Sequence, residues 1–305
     1  MLLVVQTALE LGFLYAPVAL ALFLSFRVLD IADLTTDGCF VLGAAVSVTL
    51  TAAGHPLLAV PAAMLAGACA GFITAFLQTR LSVPSILAGI VTNTGLYTIN
   101  LMAMGWRSNE SLLGSDTVFT LLRSIGLGGD WYELVLAAAV TLLCAGLLAL
   151  FLGTRLGLSI RATGDNPDMV RSSSINPTFT TIVGLCVANA FTGLSGCLLA
   201  QSQKSVSIDI GTGMVTIALA SLLMGQVLLG KGSILKRAIG MVVGAFAFRL
   251  VYTIALRLDM PAFMLKLVSS VIVVLAIATP YFKKQLPMLR RRMAARKEAS
   301  HYAED

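Results

Sequence analysis

The sequence predicts an all-α polytopic membrane protein of about nine transmembrane helices, within a range of 8–10. Two observations lead to this class: the composition and the length of the apolar blocks. Of the 305 residues, 57% are hydrophobic and only 12% are charged, whereas a soluble domain carries about 25% charged residues. Such a chain could not cover itself with polar surface in water, but it has no need to do so in lipid.

The apolar blocks have the length of membrane crossings, since a helix needs about 20 apolar residues to span the hydrocarbon core. The segments 37–53 and 211–229 are short and flanked by glycine, so either could be a broken or re-entrant helix. Residues 1–26 are expected to stay as a helix rather than act as a signal peptide, because Glu10 lies inside them. The predicted crossings are 3–26, 37–53, 57–79, 84–105, 131–153, 178–199, 211–229, 234–257 and 262–282.

The distribution of Lys and Arg predicts the orientation, because cytoplasmic loops are enriched in both. With the C-terminus inside, only Arg107, Arg123 and Lys204 fall in outside loops. Nine crossings then put the N-terminus outside. The domains expected are a membrane domain at 1–282 and a basic cytoplasmic tail at 283–305. The net charge of +6 is interpreted as a topology signal that also attracts anionic lipid, not as nucleic-acid binding.

One polar segment, residues 161–176, interrupts the apolar pattern. Gly164 is expected to end the preceding helix, and Asn166 to cap a short helix that Pro167 opens. Asn176 before Pro177 repeats this Asn-Pro pattern at the start of the next crossing. The segment is therefore predicted to be a short, rigid cytoplasmic helix.

Two stretches, 37–85 and 211–262, resemble each other weakly and would face opposite ways in the membrane, as in an inverted repeat. Small residues recur at helical spacing in both, at Ala63, Gly67 and Gly71 and at Gly240 and Gly244. Tight packing within one subunit is the favoured reading, and a subunit interface is the alternative.

Polar side chains inside apolar segments must face a partner or a cavity. Arg249 is predicted to form a structural ion pair with Asp37, with Asp33 as the second choice of partner. The alternative is that these groups line a translocation path, together with Asn93, Asn100 and Asn189.

The chain lacks the signals of an enzyme. It contains no HExxH or GxSxG motif, and its two histidines are too few for a metal site built on histidine. The stretch 225–233 is near a phosphate-binding loop, but Gly232 separates Lys231 from Ser233. No cofactor is expected, and any ATP hydrolysis is expected in another chain.

Three stretches, 161–167, 29–38 and 224–233, are similar to motifs of the branched-chain amino-acid and monosaccharide permeases of ABC importers. Within that family the sequence resembles tryptophan/tyrosine-type permeases, through Ala32-Asp33-Leu34 and Thr163-Gly164-Asp165-Asn166-Pro167. The resemblance implies cytoplasmic ABC ATPase subunits, an extracytoplasmic binding protein and a second permease subunit in a bacterial inner membrane. It assigns the ATPase-coupling role to Arg161, Gly164, Asp165, Asn166, Pro167, Asp168, Met169, Ser172 and Asn176.

The leading function is therefore the permease of an ATP-driven importer for a small solute, and the resemblance suggests an amino acid, with an aromatic one or a monosaccharide as further options. Arg107, Arg123 and Lys204 are predicted to help dock the binding protein. The rival function is a secondary transporter driven by an ion gradient, in which Asp37 or Glu10 would titrate.

Overall fold

A computed structural model describes residues 2–124, 131–230 and 232–257, together with residues 267, 270, 271, 273–275 and 278. This part of the chain is helical apart from one pair of three-residue strands and its turns. The elements are α1 (Leu2–Leu22, continued by a π-helical segment Phe23–Val28), α2 (Thr36–Ala52), α3 (Pro56–Arg80), α4 (Ser85–Ala103), β1 (Asn109–Ser111), α5 (Val118–Ser124), α6 (Tyr132–Gly153), α7 (Arg155–Asp165), α8 (Pro167–Ser172), α9 (Pro177–Gln203), β2 (Ser205–Ser207), a 3-10 segment (Ile208–Gly211), α10 (Met214–Leu229) and α11 (Ile234–Arg257).

Seven helical segments in the described ranges are long and apolar enough to cross a membrane, and the apolar helix α2 is shorter. These eight helices coincide with the first eight predicted crossings to within a few residues. The ninth, at 262–282, lies largely outside the described residues, and so does the tail at 283–305. The all-α membrane class is confirmed, whereas the count of nine is not.

Two short helices, α2 and α10, begin in the middle of the bundle. Asp33, just before α2, is bonded to Asn189 of α9. Asn189 lies 12 residues beyond the start of α9 at Pro177, which corresponds to about 18 Å along a helix axis. The start of α10 is hydrogen-bonded to Asp37 at the start of α2, so the two helices begin at a similar depth in the bundle. Asp33 and Thr35 before α2 are thus buried among other helices, whereas Asp209 and Thr212 before α10 are exposed.

The glycines of α3 make room for α9. A Cβ on Gly67 or Gly71 would collide with the backbone oxygens of Asn189 or Leu185. Gly244 of α11 lies equally close to the Ser221 oxygen of α10. The small residues therefore allow close helix packing within one subunit, which is the interpretation that the sequence analysis favoured.

The helix packing is similar in the two parts of the bundle that begin with α1 and with α9. Helix α9 packs against α2 and α3, while α1 packs against α10 and α11. Helix α9 therefore packs against the two helices that follow α1, and α1 packs against the two helices that follow α9. The pairs α2–α3 and α10–α11 also pack within themselves.

A small polar cap covers one end of the bundle. Strands β1 and β2 pair antiparallel, with Asn109 opposite Ser207. The side-chain oxygen of Gln201, near the end of α9, accepts a hydrogen bond from the Val118 N–H at the start of α5, at 2.9 Å. The opposite end carries α7 and α8.

Candidate functional site

The centre of the bundle holds a polar junction between the N-terminal ends of α2 and α10. The Asp37 carboxylate, on the first turn of α2, accepts hydrogen bonds from the N–H groups of Gly213 at 3.1 Å and Val215 at 2.9 Å. The first N–H groups of a helix have no partner within the helix, and they carry partial positive charge. Asp37 therefore caps α10 across the junction and couples the two short helices.

Asp33 anchors the loop before α2. Its Oδ1 accepts from the Thr35 N–H at 2.9 Å, and its Oδ2 accepts from the Asn189 amide at 2.7 Å. The Thr35 hydroxyl in turn lies 2.8 Å from that of Thr74 on α3. Because Asp33 is 2% exposed, these bonds replace the water that the carboxylate loses on burial.

Asn93 and Asn100 line a recess next to this junction. The Asn100 amide donates to the Gly38 carbonyl at 3.0 Å, and the Asn93 oxygen lies where a Cβ on Gly38 would be. The recess has a volume of about 370 Å³, which is within the range of small-molecule pockets. It is lined by Asp37, Gly38, Val41, Asn93, Thr94, Tyr97, Asn100, Ile208, Asp209, Gly211 and Thr212.

The predicted ion pair of Arg249 is wrong. Arg249 is 5% exposed, and no carboxylate of the described residues lies within bonding distance of it. Its guanidinium instead lies over the ring of Tyr15, 3.5 Å from the ring centroid, and 5.1 Å from that of Tyr252. The two candidate partners are occupied elsewhere, since Asp37 caps α10 and Asp33 holds Asn189. Cation–π contacts therefore replace the expected salt bridge.

Of the six polar candidates within apolar segments, the structure brings five into one neighbourhood. Asp33 and Asn189 share a hydrogen bond, and Asp37, Asn93 and Asn100 share the recess. Arg249 belongs to a separate cluster with Tyr15.

The polar segment 161–176 forms the short helix that the sequence predicts. The Asn166 side chain accepts from the N–H groups of Asp168 and Met169, both at 3.0 Å, and Pro167 opens α8. Asn176 caps α9 in the same way, through the N–H groups of Thr178 and Phe179.

Gly164 has a different local role from the one expected. It lies inside α7, which ends one residue later at Asp165, and it is not among the positive-φ glycines. A Cβ at this position would collide with the Val28 carbonyl at the end of the π-helical segment. Gly164 thus permits close packing of α7 rather than a left-handed helix end.

The other predicted coupling residues lie around α8. Arg161 is half-buried in α7, whereas Asp165, Met169 and Ser172 are exposed. Asp168 and Arg171 form an exposed ion pair at 3.8 Å. The buried hydroxyls of Thr163 on α7 and Thr180 on α9 lie 2.8 Å apart and join the two helices by a hydrogen bond.

The three predicted outer charges lie near the β1–β2 cap. Arg107 contacts Glu110 at 3.4 Å, and Arg123 lies over the Tyr132 ring at 5.7 Å from its centroid. Lys204 ends α9 with a left-handed φ of 52°.

The sequence reasoning missed three features of these sites. It did not identify where α7 begins, although Thr154 is a readable cap whose side chain accepts from the Gly157 N–H. It missed Asp209, which lies in a turn outside any apolar block. It also missed Tyr15, whose contact with Arg249 spans the chain and has no local signal.

The described residues contain no group of three or more side chains suited to a metal ion. All five cysteines are free thiols. The groups that line the recess include carboxylates, amides, a hydroxyl-bearing threonine pair and an exposed aromatic ring.

Comparisons with known proteins agree with this architecture. Residues 4–277 match the sequence profile of the branched-chain amino acid transport system / permease component family. A tyrosine transport system permease protein of Clostridioides difficile is 32% identical over 86% of each chain. An autoinducer 2 import system permease protein of Salmonella paratyphi B is 31% identical over 75% of this chain and 63% of its own length.

A solved structure of a protein assigned as a metal-chelate type ABC transporter, in an inward-facing conformation, superposes with a TM-score of 0.50. The superposition covers 92% of this chain and 85% of the other at 18% identity, so it bears on the fold alone. Together with the profile match, which spans most of the chain, these findings establish that the protein belongs to the branched-chain amino acid transport system permease family and is the permease component of an ABC transporter.

Proposed function

We propose that this chain is the membrane subunit of an ATP-driven importer that moves an amino acid, with tyrosine as the first candidate, into a bacterial cytoplasm. The observation that carries the proposal is the pair of capped helix starts at Asn166 and Asn176. They hold α8 as a rigid element between two longer helices. A rigid exposed helix can transmit a rigid-body movement, which a floppy loop cannot. The amino-acid assignment rests on the relative of Clostridioides difficile, which covers 86% of this chain.

Three partners follow from this function. ABC ATPase subunits would bind the exposed residues of α7 and α8, and ATP hydrolysis would take place in those subunits. A second copy of the permease would complete the translocation path. An extracytoplasmic binding protein would dock at the β1–β2 cap, where Arg107, Arg123 and Lys204 lie.

The internal bonds at the cap refine the docking proposal. Arg107 shares its charge with Glu110, and Arg123 rests on Tyr132. Lys204 has no ion pair within the described residues. Lys204 is therefore the cation most available to an acidic group of the binding protein, and its contribution would fall as salt screens it.

Copurification tests the importer function. An affinity-tagged chain, extracted in mild detergent from cells that express its operon neighbours, should retain an ATPase subunit. The variant Asp165→Lys reverses an exposed charge on α7 without removing a contact, so it should lower the ATPase recovered and leave the yield of permease unchanged. Ser205→Lys, exposed on β2 at the other end, is the matched control.

Uptake in membrane vesicles completes the test. The importer should accumulate radiolabelled tyrosine only when ATP is supplied inside, and a protonophore should not abolish the accumulation. Accumulation that a protonophore abolishes, with no ATPase recovered, would establish the ion-driven transporter instead. Uptake of ribose but not of amino acids would establish a monosaccharide importer.

A further inference from the structure

We propose that the recess between α2, α4 and the 3-10 segment binds the ammonium group of the substrate during its passage, which makes Asp209 the residue that selects for an amine. The inference rests on the proposed import of an amino acid and names the part of that substrate which this site recognises.

The charge of the recess supports a cationic ligand. Its 11 lining residues include two carboxylates, Asp37 and Asp209, and no Lys, Arg or His. Both oxygens of Asp37 already accept N–H groups of α10. The exposed Asp209 side chain forms no ion pair or hydrogen bond with the described residues, since only its backbone is bonded, through the N–H to Ser207 and through the carbonyl to the Thr212 N–H. Asp209 therefore supplies the counter-charge that remains free for a ligand.

The amide side chains add acceptors rather than donors. The Asn100 amide nitrogen is fixed on the Gly38 carbonyl, because a carbonyl can only accept. The remaining polar atom of this side chain is therefore the oxygen Oδ1, which has no hydrogen-bond partner although Asn100 is only 1% exposed. The Asn93 oxygen lies beside Gly38, where any Cβ would displace it. An ammonium group brings three donors and no acceptor, so it complements this lining.

Apolar and aromatic groups on the same walls favour an organic cation over a bare metal ion. Tyr97 is 53% exposed and lines the recess together with Val41 and Ile208. A tyrosine ring attracts ammonium groups through its face, and it can stack on an aromatic side chain. A bare metal ion has no apolar surface to bury against these residues.

Charge-selective labelling in the assembled importer tests the proposal. Thr212 is exposed and lines the recess, so Thr212→Cys is introduced after the five native cysteines are replaced. A cationic methanethiosulfonate should label this cysteine about tenfold faster than an anionic one of similar size, because an acidic cleft concentrates cations. Asp209→Asn should reduce this ratio to that of Ser205→Cys, an exposed position on β2 outside the recess.

Protection by ligands identifies the group that is bound. L-tyrosine and tyramine should both slow the labelling of Thr212→Cys, whereas 3-(4-hydroxyphenyl)propanoate, which lacks the amine, should not. Equal protection by all three compounds, protection by sodium or calcium ions alone, or no preference between the reagents would overturn the proposal. Tyrosine uptake by the same cysteine-replaced complex is measured in parallel. If uptake is absent while tyramine protects, the transport proposal fails and the amine site stands. If uptake is normal without protection, the amine site alone fails.

Discussion

At the residue scale, the charged side chains in the middle of the bundle contact partners that differ from those that charge alone suggests. Arg249 and Asp37 have opposite charges, yet each contacts other groups instead. Asp37 binds two N–H groups of α10, and Arg249 stacks on Tyr15. Tyr15 in turn stacks on Phe40 of α2, with ring centroids 5.9 Å apart. The stack joins α11, α1 and α2 across the core.

A double-mutant cycle checks this pairing. Arg249→Gln and Tyr15→Leu should be non-additive in thermal unfolding of the detergent-purified protein, with a coupling of about 0.5–2 kcal/mol from the buried cation–π contact. The cycle of Arg249→Gln with Asp37→Asn is the control, and it should be additive because those two side chains do not meet. Coupling in the second cycle and additivity in the first would restore the ion pair.

At the element scale, short helices carry most of the specific features. Helix α10 depends on a cap from α2, and α8 depends on a cap from its own Asn166. Helix α7 lies against the Val28 carbonyl only because Gly164 has no side chain. Movement of α7 and α8 would therefore be passed directly to the end of the π-helical segment and to the buried loop that follows it.

The cap of α8 gives a test of this transmission. Asn166→Ala removes the acceptor of two N–H groups and should cost the helix about 1 kcal/mol. If the rigidity of α8 matters, substrate-stimulated ATP hydrolysis should fall several-fold while basal hydrolysis persists. Asn166→Ser keeps a cap and should restore most of the stimulation. If the alanine variant were stimulated as strongly as the parent, α8 would not need its cap to transmit force.

At the scale of the whole molecule, the two ends of the bundle differ in character. One end carries α7, α8 and the segment around Arg80 and Arg155, whereas the other carries the β1–β2 cap with two exposed tryptophans, Trp106 and Trp131. The excess of Arg at the first end predicts that it faces the cytoplasm.

Impermeant labelling of intact cells checks this orientation. In the cysteine-replaced background, Ser205→Cys should react with a membrane-impermeant maleimide from outside. Ser173→Cys, exposed just after α8, should react only after the cells are opened. The reversed result would invert the topology and exclude ATPase binding at α8.

The sequence by itself determined the membrane class, the first eight crossings, the capped helix at 161–176 and the family. These depend on signals within a few turns of chain, such as apolar length, Asn-Pro starts and short motifs. The tertiary structure alone decided which polar groups meet inside the bundle. Asp33 and Asn189 are hydrogen-bonded although they are 156 positions apart in the sequence. Arg249 contacts an aromatic ring rather than a carboxylate. The depth at which α2 and α10 begin was also settled by packing, because N–H groups at a helix start inside the bundle need hydrogen-bond partners there, and Asp37 supplies them for α10. A local pattern can show that a buried charge needs a partner, but only the three-dimensional arrangement shows which partner lies within reach.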